Sequence, residues 1–183
     1  MRHNRLLPTI LFALCFAAAA HAQQQPQAQV CTLTVEQAPE LRGFRLGMSL
    51  DQVKTRIPNI QVRQLEFGLS DASASNLDAA LYKGVVAIGF DFLDDRLVSL
   101  HVYYESVPWK SADQFAARVS ESLKLPDAWK TSQGWSKDLK CAGFDVVAQS
   151  SPTVITLSVP GYNEILKQRR AQHEEQLRQS FRP

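Results

Sequence analysis

The strongest pattern in the chain is an alternation of apolar and polar positions between residues 86 and 104. Val86, Ile88, Phe90 and Phe92 alternate with Ala87, Gly89 and Asp91; after a polar break, Val98, Leu100, Val102 and Tyr104 alternate with Ser99, His101 and Tyr103. A period of two marks half-buried strands, and two such runs in succession predict a hairpin. A slip of one residue turns every side chain to the opposite face, so the apolar sets select the register. A two-residue loop, Asp94-Asp95, sets Phe90 against Ser99 and mixes the faces. A three-residue loop, Asp94-Asp95-Arg96, sets Phe92 opposite Val98, Phe90 opposite Leu100 and Ile88 opposite Val102, and is the predicted connection. Gly89, Asp91, Ser99, His101 and Tyr103 then share the more polar face.

Upstream, Phe44-Arg45-Leu46 reads as a short strand leading into Gly47-Met48 and a helix. Ser49 and Gln52 have the spacing of a capping box. Leu50, Val53 and Ile57 give that helix one apolar face, and Pro58 stops it. Ile60–Phe67 is predicted as a strand. Residues 68–80, rich in Ser, Ala, Asp and Asn, read as a surface loop with one helical turn near Leu77–Leu81. Downstream, Ser111 opens a second helix with Phe115, Val119 and Leu123 on its stripe and Pro126 at its end. Trp129–Trp135 is predicted as a further strand. Ala142, Phe144, Val146 and Ala148 then form a hairpin with Ile155, Leu157 and Val159, turning through residues 149–152.

The segments starting at Ser49 and Ser111 share a Ser-x-Asp-Gln-apolar opening. This suggests two tandem αβββ units, 44–105 and 109–160, although such openings also recur in unrelated folds. The fold expected for 30–160 is a single α+β domain: an antiparallel sheet of about five to six strands with helices packed on one face. Residues 161–183 form a charged helix with a thin apolar set, Ile165, Leu166, Leu177 and Phe181. Such a helix is solvated and frayed at its end, unless it crosses a partner's groove or lies on a membrane surface.

The first 22 residues read differently. Arg2 and Arg5 precede an apolar run from Leu6 to Ala20, which ends in Ala20-His21-Ala22. A basic start, a short apolar core and a small-x-small exit predict a secretory signal peptide cleaved near Ala22. The alternatives are acylation at Cys15, which Leu14 disfavours, and a retained anchor, for which about 20 apolar residues are needed. Residues 23–29, rich in Gln, Pro and Ala, read as a flexible tether. The resulting expectation is a periplasmic or secreted protein without a transmembrane segment in its mature chain.

Cleavage changes the charge and cysteine arithmetic. Removing Arg2 and Arg5 from the 20 Lys and Arg leaves 18, equal to the 18 Asp and Glu. A balanced chain lacks the basic excess that phosphate binding needs, so nucleic acid is not an expected partner. Cys31 and Cys141 are the cysteines left. In an oxidising compartment this pair predicts one disulfide, closing a loop of about 110 residues for roughly 4–5 kcal/mol in the chain-entropy model.

The mature chain keeps two histidines, His101 and His173, and no zinc, phosphate-loop, calcium-loop or nucleophile-elbow motif. No catalytic, cofactor-binding or metal residue is therefore assigned. Asp94-Asp95 reads as turn chemistry. His101 shares a face with Asp91, Ser99 and Tyr103, the raw material of acid–base catalysis, although a polar outer sheet face explains the same set. Trp109, Trp129 and Trp135, with Tyr103 and Phe144, are candidates for stacking on a glycan or small molecule, or for packing around the second unit.

Phe44-Arg45-Leu46-Gly47-Met48-Ser49-Leu50-Asp51-Gln52-Val53 resembles the opening motif of the SmpA/OmlA family, small envelope proteins that help assemble the bacterial outer membrane. The likeness covers these ten positions, and this chain departs from the family in lacking a good lipobox, in its single helix before the strands and in its length. The resemblance implies a helix-plus-antiparallel-sheet unit, repeated in tandem in the related β-lactamase-inhibitor-protein-like fold, and a protein-binding role. The functional expectation is a non-enzymatic envelope module that binds another envelope protein through its sheet face or C-terminal helix. A small-molecule or glycan-binding module is the alternative, and a hydrolase using His101 ranks third.

Overall fold

The structure, a computed structural model, describes residues 30–182; the signal peptide expected at 1–22, with Cys15, and the tether expected at 23–29 lie outside them. Both helix openings form as their sequences dictate. Helix α1 spans Leu50–Arg56, with Ser49 Oγ accepting from Gln52 N at 3.2 Å and Gln52 Oε1 accepting from Ser49 N at 2.8 Å. Helix α2 spans Ala112–Leu123, with Ser111 Oγ accepting from Gln114 N. Here the Gln114 side chain accepts from Lys110 N, one residue farther back than the reciprocal box requires.

Each helix is followed by four strands, not three. After α1 come β1 (Gln61–Gln64), β2 (Leu69–Ser75), β3 (Val85–Leu93) and β4 (Arg96–Tyr104). After α2 come β5 (Lys130–Gln133), β6 (Ser136–Lys140), β7 (Asp145–Ser150) and β8 (Thr153–Ser158). The two meanders join through their last strands, so one antiparallel sheet of eight runs β1-β2-β3-β4-β8-β7-β6-β5. The α+β class stands, and the expectation of five to six strands is corrected to eight.

The added strands are β2 and β6. Residues 69–75, Leu-Ser-Asp-Ala-Ser-Ala-Ser, have the composition of a loop, yet they pair along their whole length with β3. Ser70, Ala72 and Ala74 are buried at every second position. Small side chains carry little intrinsic strand preference; the ladder partners on both sides supply it. In β6 only Leu139 is a large apolar residue, and the strand is held between β5 and β7.

The central hairpin corrects the loop length while keeping most of the register. Ile88 faces Val102 and Phe90 faces Leu100, but Phe92 faces Leu97, and Leu93 faces Arg96 across a two-residue turn, Asp94-Asp95. Both turn residues have positive φ, 50° and 62°, as in the primed turn whose twist matches the strands. The ladder shifts between Asp91 and Phe92, which leaves Val98 as an extra residue. This bulge restores the apolar register that the short turn would otherwise break.

Register then builds the two faces. One row of paired residues runs Val62, Ala72, Phe90, Leu100, Leu157, Val146 and Leu139 across seven strands. Beside it run Ala74, Ile88, Val102, Ile155 and Ala148. Leu50 and Val53 of α1 and Phe115, Ala116 and Val119 of α2 join these strand residues in one core. On the opposite face a polar row crosses the same strands: Arg63, Asp71, Asp91, Ser99, Ser158, Asp145 and Lys140. Within it, Arg63 binds Asp71 and holds that carboxyl below its usual range, while burial pushes Asp145 up.

The segment before α1 closes the core at the other end. Cys31 and Cys141 are joined by a disulfide and are both buried. Phe44, fully buried, meets the Phe90 ring edge-on at 4.9 Å. Gly47 N donates to Leu97 O and Leu97 N donates to Met48 O, which seats the Gly-Met turn on β4.

Helix α3, Tyr162–Ser180, has no buried residue. Tyr162, Leu166 and Arg169 are half-buried, a single narrow stripe. Arg169 grips the Asp94 carboxylate through both terminal nitrogens, at 2.8 and 2.6 Å, and also donates to Phe67 O at 2.8 Å. His173 sits edge-on to the Phe67 ring at 5.6 Å. Gly68, at φ +77°, completes the clasp: an added Cβ would lie 2.8 Å from Arg169 Nη1 and collide with Asp94. Among the described residues no helix is long and apolar enough to cross a membrane.

The clasp makes α3 docking depend on pH. Hydrogen bonding from Arg169 holds the Asp94 carboxyl below its ordinary value of 3.8. Its contribution is therefore complete above that value and is lost as pH falls through the lower, folded-state value. Hydrogen-exchange protection of residues 162–180 is expected to fall selectively below about pH 3.8, and Asp94→Asn should produce the same loss at neutral pH. Equal protection in both proteins across this range would show that the clasp does not hold the helix.

Candidate functional site

Two places gather the chemically interesting side chains. The first is the centre of the polar sheet face. His101 on β4 hydrogen-bonds through Nδ1 with Thr156 Oγ1 of β8 at 3.0 Å. Its Nε2 lies 3.0 Å from Ser99 Oγ and 3.3 Å from Asp91 Oδ2 of β3. The acid and the serine thus meet the same ring nitrogen, whereas a nucleophile–histidine–carboxylate relay needs them on opposite nitrogens. Thr156 and Asp91 do occupy opposite nitrogens. The strands carrying them lie inside the sheet, β3 between β2 and β4 and β8 between β4 and β7. Tyr103 stands apart, 40% exposed. The arrangement ties β3, β4 and β8 together through a half-buried imidazole.

Asp94 and Asp95, read from sequence as turn residues, also have tertiary partners. Asp94 holds Arg169, and Asp95 Oδ1 accepts from Leu50 N at the start of α1. Among the described residues no group of three or more His, Cys, Asp or Glu side chains could hold a metal ion.

The second place is a cavity of about 450 Å³. One wall is α2, through Phe115, Val119 and Leu123; the other walls are Leu41, Tyr104, Val107, Trp109 and Ile155. Glu40, Arg42, Glu105 and Arg118 also line it and are all exposed. Tyr104 ends the apolar stripe of β4, one residue past the last pairing with β8 at Tyr103, and Thr153 and Ile155 of β8 line the cavity beside it. Trp109 stacks obliquely on Phe115, with centroids 4.9 Å apart. Its Nε1 is buried and has no hydrogen-bond partner among the described residues.

The five aromatic residues grouped from sequence therefore do not form one surface. Trp109 lines the cavity, and Trp129 donates to Ser120 Oγ on α2 at 2.6 Å. Trp135, 42% exposed, lies in the turn between β5 and β6, and Phe144 is fully buried in the core. Sequence reading did not group Arg42, Tyr104, Phe115 and Ile155 with Trp109. The available signal was that the apolar stripes of β4 and α2 both extend toward the 105–110 linker.

No family model, curated protein or solved structure matches the chain. The likeness of Phe44–Val53 to the SmpA/OmlA opening therefore rests on those ten residues. Their local structure is a seated Gly-Met turn and a Ser-capped helix.

Proposed function

We propose that this is an exported, disulfide-stapled, non-enzymatic binding protein whose ligand is a small, mainly apolar molecule held in the Trp109 cavity. The observation that carries this reading is the cavity itself. Its volume lies in the range of ligand pockets, and its buried walls are mainly aromatic and aliphatic. The Cys31–Cys141 bond and the leader-like first 22 residues support an oxidising, exported setting.

The test is binding of the neutral apolar dye N-phenyl-1-naphthylamine to the mature chain. Saturable binding is expected, with thermal stabilisation approaching 2.7 kcal/mol at about a hundredfold excess over Kd. Leu123→Trp, which fills the cavity from α2, should abolish dye binding and leave the fold intact by circular dichroism. Undiminished binding in that variant would place the dye elsewhere and defeat the reading.

A second reading is attachment to another envelope protein through α3. It draws support from the SmpA/OmlA likeness and from Leu177 and Phe181, one turn apart and exposed by 56% and 74%. Cross-linking in envelope extract that is unaffected by Leu177→Ser with Phe181→Ser would count against it.

A further inference from the structure

We infer that Trp109 limits the length of the apolar chain the ligand site accepts, its indole standing as a fixed wall between that cavity and a second one. The inference rests on the Trp109 cavity being the binding site and concerns which ligands that site admits.

The second cavity, of about 360 Å³, is lined by the 106–109 linker and by the turn between β7 and β8, through Ser106, Pro108, Ser150, Ser151 and Pro152. Val107, Trp109 and Thr153 line both cavities, so these three residues separate them. Thr153 belongs to the β8 ladder and is buried, and Val107 is exposed. The indole is the largest of the three side chains and the main barrier. The two sides differ in chemistry: aliphatic and aromatic walls on the ligand side, and the Ser106, Ser150 and Ser151 hydroxyls on the other.

The chain holds this wall in place from both sides. Before Trp109 stands Pro108, whose ring fixes its φ. After it, Lys110 N donates to Gln114 Oε1 of α2 at 3.0 Å. The indole face rests on Phe115 of the same helix, with centroids 4.9 Å apart, and the nitrogen edge is buried. A ring constrained by its backbone neighbours, its face and its edge does not swing aside for a longer ligand. Each methylene added to a bound chain buries more apolar surface, worth about fourfold in affinity, until the chain meets the indole. Carbons beyond that point have no apolar wall to bury against and add nothing.

The test is displacement of N-phenyl-1-naphthylamine from the mature protein by unbranched primary alcohols, hexanol to tetradecanol, corrected for each protein's affinity for the dye. With the unmodified chain, displacement should strengthen about fourfold per methylene and level off within the series. In Trp109→Ala, folded by circular dichroism, the levelling should move to longer chains. The first alcohol past the original limit should then gain about fourfold over the unmodified chain. The backbone amide resonances of Ser106, Ser150 and Ser151 should shift with the longest alcohols in Trp109→Ala and stay still in the unmodified chain. Simple enlargement of the ligand cavity would not move them. Affinity that keeps rising to tetradecanol in the unmodified chain, or serine amides that move there, overturns the inference, and neither measurement needs the variant to fold. Levelling at the same length in folded Trp109→Ala overturns it too and leaves the site in place. Failure of every alcohol to displace the dye removes the site itself.

Discussion

Phe90→Ala is expected to lower the free energy of unfolding by about 3–5 kcal/mol, the range for deleting a large aromatic side chain from a closed core. Phe90 is 1% exposed and stands at the crossing of two directions of packing. Along the sheet it lies between Ala72 and Leu100, with the Phe92 ring stacked beside it at 6.3 Å. Above the sheet it meets Phe44, the residue that seats the segment before α1. Ala72 is too small to move into the space, and the bulge at Val98 fixes the hairpin register, so collapse around the deletion is restricted. Urea unfolding of the variant should show a reduced midpoint with an unchanged slope. A loss below about 1 kcal/mol would mean that the core repacks and that the Phe44–Phe90 contact is dispensable.

Replacing both Cys31 and Cys141 by serine is expected to cost about 2–5 kcal/mol, as for loss of a native disulfide from a small secreted domain. The bond spans 110 positions and attaches the segment before α1 to the tight turn entering β7. Two further contacts lie at the same place. Gly143 N donates to Leu33 O, and an added Cβ at Gly143 would lie 2.6 Å from the Thr34 carbonyl carbon and 2.8 Å from its Cα. The segment is thus pressed against the turn backbone to backbone. Without the cross-link, residues 31–38 should lose hydrogen-exchange protection before the central strands do. If reduced and oxidised proteins unfold at the same urea concentration, the backbone contacts alone hold the segment.

Both results bear on the candidate site. Leu41 and Arg42 belong to the stretch between the disulfide and Phe44, and both line the Trp109 cavity. Loosening that stretch should weaken dye binding even though neither substituted position lines the cavity. The polar face offers a contrast, because its His101 network is carried by β3, β4 and β8 and does not include this segment.

Much of the local structure was legible in single residues. Ser49 with Gln52 and Ser111 with Gln114 started helices where their spacing placed them, because capping is a local exchange of hydrogen bonds. The alternation at 86–104 and 142–159 produced strands with most of the apolar residues inward, because the pleat has a period of two; Val86, at a ladder irregularity, and Ala142, ahead of β7, are exposed instead. Cys31 and Cys141 paired.

Pairing between distant segments was not legible. Residues 69–75 became a strand only because β1 and β3 lie beside them, and β6 formed between β5 and β7 with one large apolar residue of its own. The two-residue turn at Asp94-Asp95 was consistent with the apolar register only through a bulge, a feature that alternation conceals. The cavity lies where the end of the inward stripe of β4 meets α2, the start of β8 and the segment holding Leu41 and Arg42, which strand pairing brings together. Composition and periodicity therefore determined which faces are greasy and where helices begin. Only the tertiary structure decided how many strands share the sheet and where an apolar face stays uncovered, because strand pairing and cavity shape depend on neighbours far along the chain.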